Sequence, residues 1–193
     1  MPKPQARSVS AADQQSQVRA QCTASQADQG LPPLLPPRPE LLILGSMPSQ
    51  ASLREQQYYA HPQNRFWPLW AQLLGTQLPP SYAQRVDMLK QAGVAVWDVL
   101  AECQRPGSLD ASIVPDSVRC NDISNLLTSH PTIRIIGCNG GFAARTFQRQ
   151  MLPTLPVAVA WVSLPSTSPA NARWRLPDLV ERWAEQLQLT PPE

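Results

Sequence analysis

Long apolar runs are missing from this chain. Its N-terminal stretch lacks the apolar core of a secretory signal, and no later segment is long enough to span a bilayer. A membrane partner is therefore not expected, and a cytoplasmic location is. The start carries arginine, but it also holds Asp13 and Asp28 and no amphipathic stripe, which argues against an organelle transit peptide. Cysteine is scarce. Cys22, Cys103, Cys120 and Cys138 include no pair at the close spacing of a zinc or iron–sulfur site, so reduced thiols are expected and neither a metal nor a cofactor is. A surplus of basic charge is missing too. The 16 Lys and Arg face 14 Asp and Glu, and from Pro39 onward the signs balance at twelve each. A tight, non-specific nucleic-acid binder carries a basic excess. Any DNA contact here must rest on local clusters, such as Arg173 with Arg175 or Arg145 with Arg149.

What is present fits one domain preceded by a tail. Residues 1–38 are rich in Gln, Ala, Ser and Pro, with no run of large apolar residues before Leu31. Such a composition cannot bury enough surface to offset its ordering entropy, so a tail over 1–38 and a domain over 39–193 are expected. Leu41-Leu42-Ile43-Leu44, Val94 to Trp97, Ile133 to Cys138 and Val157 to Val162 read as buried strands. Helical spacing places helices near 64–75, over Tyr82 to Leu89, from about Asn121 or Asp122 to Ser129, from Asn139 through about Gln150, and over Leu176 to Leu187. Residues 98–116 read as irregular. The alternation predicts an α/β fold with a mostly parallel sheet covered on both faces. In such sheets ligands gather outside the carboxyl ends of the strands, where the polar loops 45–49, 138–141 and 163–171 should meet.

Two segments suggest a pocket with a backbone floor and an aromatic wall, suited to a flat heterocycle. Gly45-Ser46-Met47-Pro48-Ser49 follows a strand. It lacks the Gly-Lys-Ser/Thr ending of a phosphate-cradling loop and is not a Gly-x-Ser-x-Gly nucleophile elbow, so a tight turn competes with a site there. In Tyr58-Tyr59-Ala60-His61-Pro62-Gln63-Asn64-Arg65-Phe66-Trp67, the tyrosines could stack on a base or cover the core. His61 could be a general base or part of a turn. Asn64 could hold a water or a base edge, or cap the helix that follows. Asn139 carries the same ambiguity. Ser166, Thr167 and Ser168 stand between prolines in a stiff, hydroxyl-rich loop suited to gripping phosphates, with a solvated linker as the alternative. Arg173 could enter a groove or pair with an acid such as Asp178. Asp98 and Asp110 lie near strand ends, but no acid pair has a spacing that assigns acid and base roles. That fits a reaction with a good leaving group and a cationic transition state.

Taken together, Gly-Ser-Met-Pro-Ser, Gln-Tyr-Tyr-Ala-His-Pro-Gln-Asn-Arg-Phe-Trp, Asn-Gly-Gly-Phe-Ala and Leu-Pro-Ser-Thr-Ser-Pro-Ala-Asn-Ala resemble the hypoxanthine-DNA glycosylase family of the uracil-DNA glycosylase superfamily, over about Leu41 to Leu187. The resemblance implies a three-layer α/β/α sandwich with a central four-stranded parallel sheet. It implies metal-free excision of deaminated bases, chiefly hypoxanthine, from a duplex or single strand by a monomer. Relatives that excise mismatched uracil or thymine carry Asn or Asp where Met47 stands, so poor uracil excision is expected. The resemblance assigns Asn64 to the water and Tyr59 to stacking. It makes Asn139 a second functional amide and puts Ser46, Met47, Pro48, Ser49 and His61 around the base. Ser166, Thr167, Ser168, Asn171 and Arg173 fall to DNA. Lys90 lies mid-helix, so a monofunctional enzyme without lyase activity is expected. The competing readings are a damaged-DNA-binding relative without chemistry and a small-molecule hydrolase using Ser46.

Overall fold

A computed structural model describes residues 27–155 and 158–189. Continuous apolar runs become the inner strands. β2 (Leu41–Gly45), β3 (Val94–Asp98), β6 (Ile135–Asn139) and β7 (Ala160–Leu164) form a parallel sheet in the order β3-β2-β6-β7. Side chains alternate across β2, as a strand requires. Leu41 and Ile43 join one core cluster, while Leu42 and Leu44 join the other. The first cluster packs under α2 (Phe66–Leu73), α3 (Tyr82–Gln91) and α6 (Leu176–Leu187). The second packs under α4 (Ile123–Ser129) and α5 (Gly141–Thr146), which runs on as a π-helical turn over Phe147–Met151. This is the expected three-layer α/β/α sandwich. The described part of the fourth strand begins at Ala160, and residues 156–157 lie outside the described residues, as does the tail over 1–26.

Two expectations are corrected. The stretch 98–116 is not wholly irregular. β4 (Leu100–Cys103) forms a small antiparallel sheet with β1 (Asp28–Gln29) and β5 (Arg119–Cys120), and 3-10 turns follow at Asp110–Ser112 and Pro115–Ser117. Strands of two residues are too short to show a period. A short helix, α1 (Gln50–Glu55), was also invisible to apolar spacing, because only Ser52 in it is buried.

The second correction concerns residues 28–38, which pack on the body instead of trailing from it. β1 pairs with β4, and Leu34 bridges Val96. Leu31 is buried, and its carbonyl accepts from Tyr58 Oη (3.1 Å) and Trp97 Nε1 (3.2 Å). Asp28 Oδ2 lies 3.5 Å from Arg105 Nη2. Deleting residues 1–38 is therefore expected to destabilise the protein by about 3 kcal/mol or more, from one buried leucine and two hydrogen bonds. Deleting 1–26 keeps these contacts. Thermal melts of the two truncations should separate them clearly; equal melting temperatures would show that the 28–38 contacts contribute nothing.

Candidate active site

The carboxyl ends of the sheet strands open into a cavity of about 370 Å³, within the range of small-molecule sites. The three polar loops predicted to meet do meet here. Met47 and Tyr59 line one part of it, Asp98 and Asp110 another, and Asn139 and Ser166 a third.

The loop after β2 spends its carbonyls on the protein. Gly45 O accepts from Val99 N–H (2.9 Å), Ser46 O from Leu100 N–H (3.1 Å) and Pro48 O from Arg105 Nη2 (2.5 Å). What this loop can offer a ligand is N–H. Ser49 caps α1 by accepting from Ser52 N–H (3.2 Å). Ser46 Oγ donates to Asp110 Oδ1 (2.7 Å). A carboxylate, not an imidazole, thus holds the hydroxyl.

Tyr59 stands out on backbone geometry. Its φ of 55° is left-handed, a conformation that costs a non-glycine residue of order 1 kcal/mol or more. The surroundings fix it there. Its ring stacks on Phe66 with centroids 3.8 Å apart and planes 17° apart, and its hydroxyl accepts from Asn139 Nδ2 (3.2 Å). Burial, and then the Asp98 carboxyl, push the phenol well above its ordinary pKa, so it stays neutral. Asn64 lines the same cavity, and its Oδ1 accepts from Phe66 N–H (3.0 Å) at the start of α2. The N-cap residue is Arg65, which makes no side-chain cap bond; Asn64, one position earlier, satisfies the first N–H of α2 while lining the cavity.

Several expected roles change. His61 does not line the cavity; its Nδ1 accepts from Gln63 N–H (3.2 Å) in the turn before α2. Thr167, expected to meet phosphates, is fully buried. Its N–H donates to Asn139 Oδ1 (3.0 Å), and its Oγ1 accepts from Asn139 Nδ2 (3.0 Å). Asn139 thus spends both amide protons on Thr167 and Tyr59, and its oxygen keeps one lone pair beyond the bond from Thr167 N–H. It positions the loop and the tyrosine. Gly140 makes this approach possible: it sits at φ +106°, and a Cβ there would come within 3.1 Å of Ser166 Cβ. Ser166 Oγ accepts from Ser168 N–H (3.2 Å), Ser168 Oγ from Ala170 N–H (3.3 Å), and Asn171 Nδ2 donates to Ser166 O (2.9 Å). These side chains shape the loop. Arg173 is exposed, its guanidinium 5.8 Å from the Trp174 ring centroid. Asp178, the acid named as its alternative partner, accepts from Arg175 N–H (3.1 Å).

The sequence reading gave Arg65 no role and saw Asp98 only as a carboxylate near a strand end. Arg65 fastens the Thr167–Trp174 loop: its guanidinium donates to Ser168 O (2.5 Å), Asn171 O (3.0 Å) and Trp174 O. Asp98 is 3 % exposed at the end of β3, and burial raises its carboxyl to about 7 against the lowering pull of Arg105, with Asp110 raising it further. Its place at the strand end was legible; its burial was not.

The sequence profile of the Uracil DNA glycosylase superfamily matches residues 32–188. A hypoxanthine DNA glycosylase of Methanosarcina acetivorans is 37% identical over 147 residues, covering 75% of this chain and 89% of the relative. One from Methanosarcina barkeri is 36% identical over 113 residues, 58% of this chain and 70% of the relative. A solution NMR structure from M. acetivorans, provisionally described as a uracil DNA glycosylase, superposes with a TM-score of 0.71 at 33% identity, covering 85% of this chain and 99% of that one. The resemblance first carried by four short motifs thus extends over nearly the whole described body, and the chain belongs to the uracil DNA glycosylase superfamily, in its hypoxanthine DNA glycosylase family.

Proposed function

We propose that this protein is a monofunctional DNA glycosylase that hydrolyses the N-glycosidic bond of deaminated bases, chiefly hypoxanthine. The observation that carries the reading is a single cavity at the sheet's carboxyl edge, lined by an aromatic ring held in a strained backbone and by an amide at a helix start. A nucleotide is extruded into it at a cost of about a few kcal/mol, least where pairing is already weak. Tyr59 stacks on the base. N–H groups of the loop after β2 face its edge. Asn64 holds the water that adds to C1′ as the bond to the base loosens. Asn139 acts at one remove, by fixing Tyr59 and Thr167.

The protein is further proposed to act as a cytoplasmic monomer. Among the described residues no helix is long and apolar enough to cross a membrane. Ultracentrifugation of the free protein and of its duplex complex tests the stoichiometry.

The deciding experiment incubates the protein with deoxyinosine and deoxyuridine duplexes and scores abasic sites by alkaline cleavage. Hypoxanthine release is expected to outpace uracil release, since Met47 cannot orient water. Binding without abasic sites would leave a recognition module; faster uracil release would move the substrate preference. Arg173→Ala tests the DNA contact. With few phosphates neutralised, salt dependence should be shallow. The variant should lose more on inosine opposite cytosine than on inosine opposite thymine or in single strands, because a wedge matters most where the base resists extrusion. Equal losses on all three would make Arg173 a phosphate contact.

A further inference from the structure

Asp98 is used by nothing described so far, yet its carboxyl is built into the cavity. It closes β3 in parallel register with Gly45, the last residue of β2. A Cβ on Gly45 would lie 2.3 Å from Asp98 Oδ1 and 3.2 Å from Tyr59 Oη. Glycine at this position clears the space that the carboxyl occupies, beside the phenol that closes the aromatic wall. The carboxyl is almost wholly buried, it lines the cavity, and its Oδ2 has no hydrogen-bond partner among the described residues.

The nearest cation does not satisfy it. Arg105 directs its guanidinium to Pro48 O (2.5 Å), Ser108 O (3.4 Å) and Asp28 Oδ2 (3.5 Å). The other titratable groups around Asp98 are Asp110, tied to Ser46, and the phenols of Tyr58 and Tyr59. An ionised oxygen buried without a donor is costly, and a proton removes that cost. Burial and Asp110 raise the carboxyl and Arg105 lowers it, to about 7. A neutral carboxyl is a hydrogen-bond donor.

Position then decides what it meets. A flipped nucleotide stays tethered through its sugar, so C1′ remains toward the mouth and the far edge of the base goes deepest. A group at the strand ends faces the base edge, not the attacking water. We propose that Asp98 is the general acid of the reaction, donating from its neutral carboxyl to the N7/O6 edge of the flipped purine; this deepens the glycosylase function proposed above and rests on it. As the C1′–N9 bond breaks, its electron pair goes to the purine and the Asp98 proton goes to N7. The base leaves neutral. Water adds to C1′, and the proton it releases restores the carboxyl through solvent.

The test has two arms. The first measures single-turnover excision from a deoxyinosine duplex, at sub-saturating enzyme, across about pH 5 to 9. The wild-type rate should be flat below about 7 and fall about tenfold per pH unit above it. Asp98→Asn keeps an amide donor but has no proton to give. Its rate should be lower by about 100-fold at acid pH, within the range for general acid catalysis, and flat with pH. The second arm measures binding of a duplex bearing 2′-fluoro-2′-deoxyinosine, whose glycosidic bond resists hydrolysis. Wild-type affinity should weaken as pH rises through about 7, and Asp98→Asn affinity should not. A wild-type rate that rises with pH and is abolished in Asp98→Asn would make Asp98 a base and overturn the proposal. So would identical pH profiles of the two proteins in both arms. If the wild type binds but excises nothing, the enzyme reading fails, and the general-acid role fails with it; wild-type excision with no alkaline fall refutes the Asp98 role alone.

Discussion

Asn64→Ala should lower single-turnover excision of hypoxanthine by about 100-fold or more, the scale lost when one positioned group is removed from a reacting centre. The same change should lower stability by only about 1 kcal/mol, because the group also satisfies Phe66 N–H, the first of α2. The two effects come from one amide oxygen, so the alanine variant alone does not separate them. Asn64→Ser does. Serine satisfies N–H groups at a helix start about as well as asparagine, and its shorter side chain reaches less far into the cavity. Near-normal melting with excision as low as in Asn64→Ala would assign the loss to chemistry. Near-normal excision by the serine variant would leave Asn64 only as the partner of that N–H.

Arg65→Ala should be the most damaging change to the DNA-facing loop. The guanidinium draws together four carbonyls of the loop, and hydrogen bonds from a charged donor contribute about 1.5–3 kcal/mol each when measured singly. Since the four share one side chain, a loss of about 3 kcal/mol is expected, read from denaturant unfolding. The consequence should reach the cavity. Thr167 O accepts from Arg65 Nε (3.4 Å), and Thr167 in turn bonds Asn139, which holds Tyr59. Arg65→Ala and Asn139→Ala are therefore expected to be non-additive in excision, since each releases the same loop. Arg65→Lys should recover little, because an ammonium cannot present a planar fork to four carbonyls. Additive losses would uncouple the loop from the tyrosine.

Parts of this architecture are written in short windows of sequence. Leu41 to Leu44 and Val94 to Trp97 are continuous apolar runs because inner strands of a parallel sheet are covered on both faces. Phe66, Leu69, Trp70 and Leu73 recur at helical spacing because one face of α2 packs on that sheet. The cavity's location followed from the alternation of these elements, and Tyr59 and Asn64 from motifs lying wholly within one decade of the chain.

The remainder was decided by contacts between distant residues. Thr167 and Asn139 are 28 positions apart, and Arg65 and Ser168 are 103. A hydroxyl flanked by prolines looks solvent-facing until a buried amide from another strand claims it. Leu31 sits in a composition that supports no core of its own, and it is buried only because Tyr58 and Trp97 need its carbonyl and the first cluster takes its side chain. Asp98 is an ordinary strand-end carboxylate by sequence. Its raised affinity for a proton comes from the sheet around it, the glycine in register with it, and an arginine that makes no hydrogen bond to it. Local spacing sets which elements form and where a parallel sheet opens. Burial and hydrogen-bond competition, which exist only in the assembled fold, set which polar groups remain free to act.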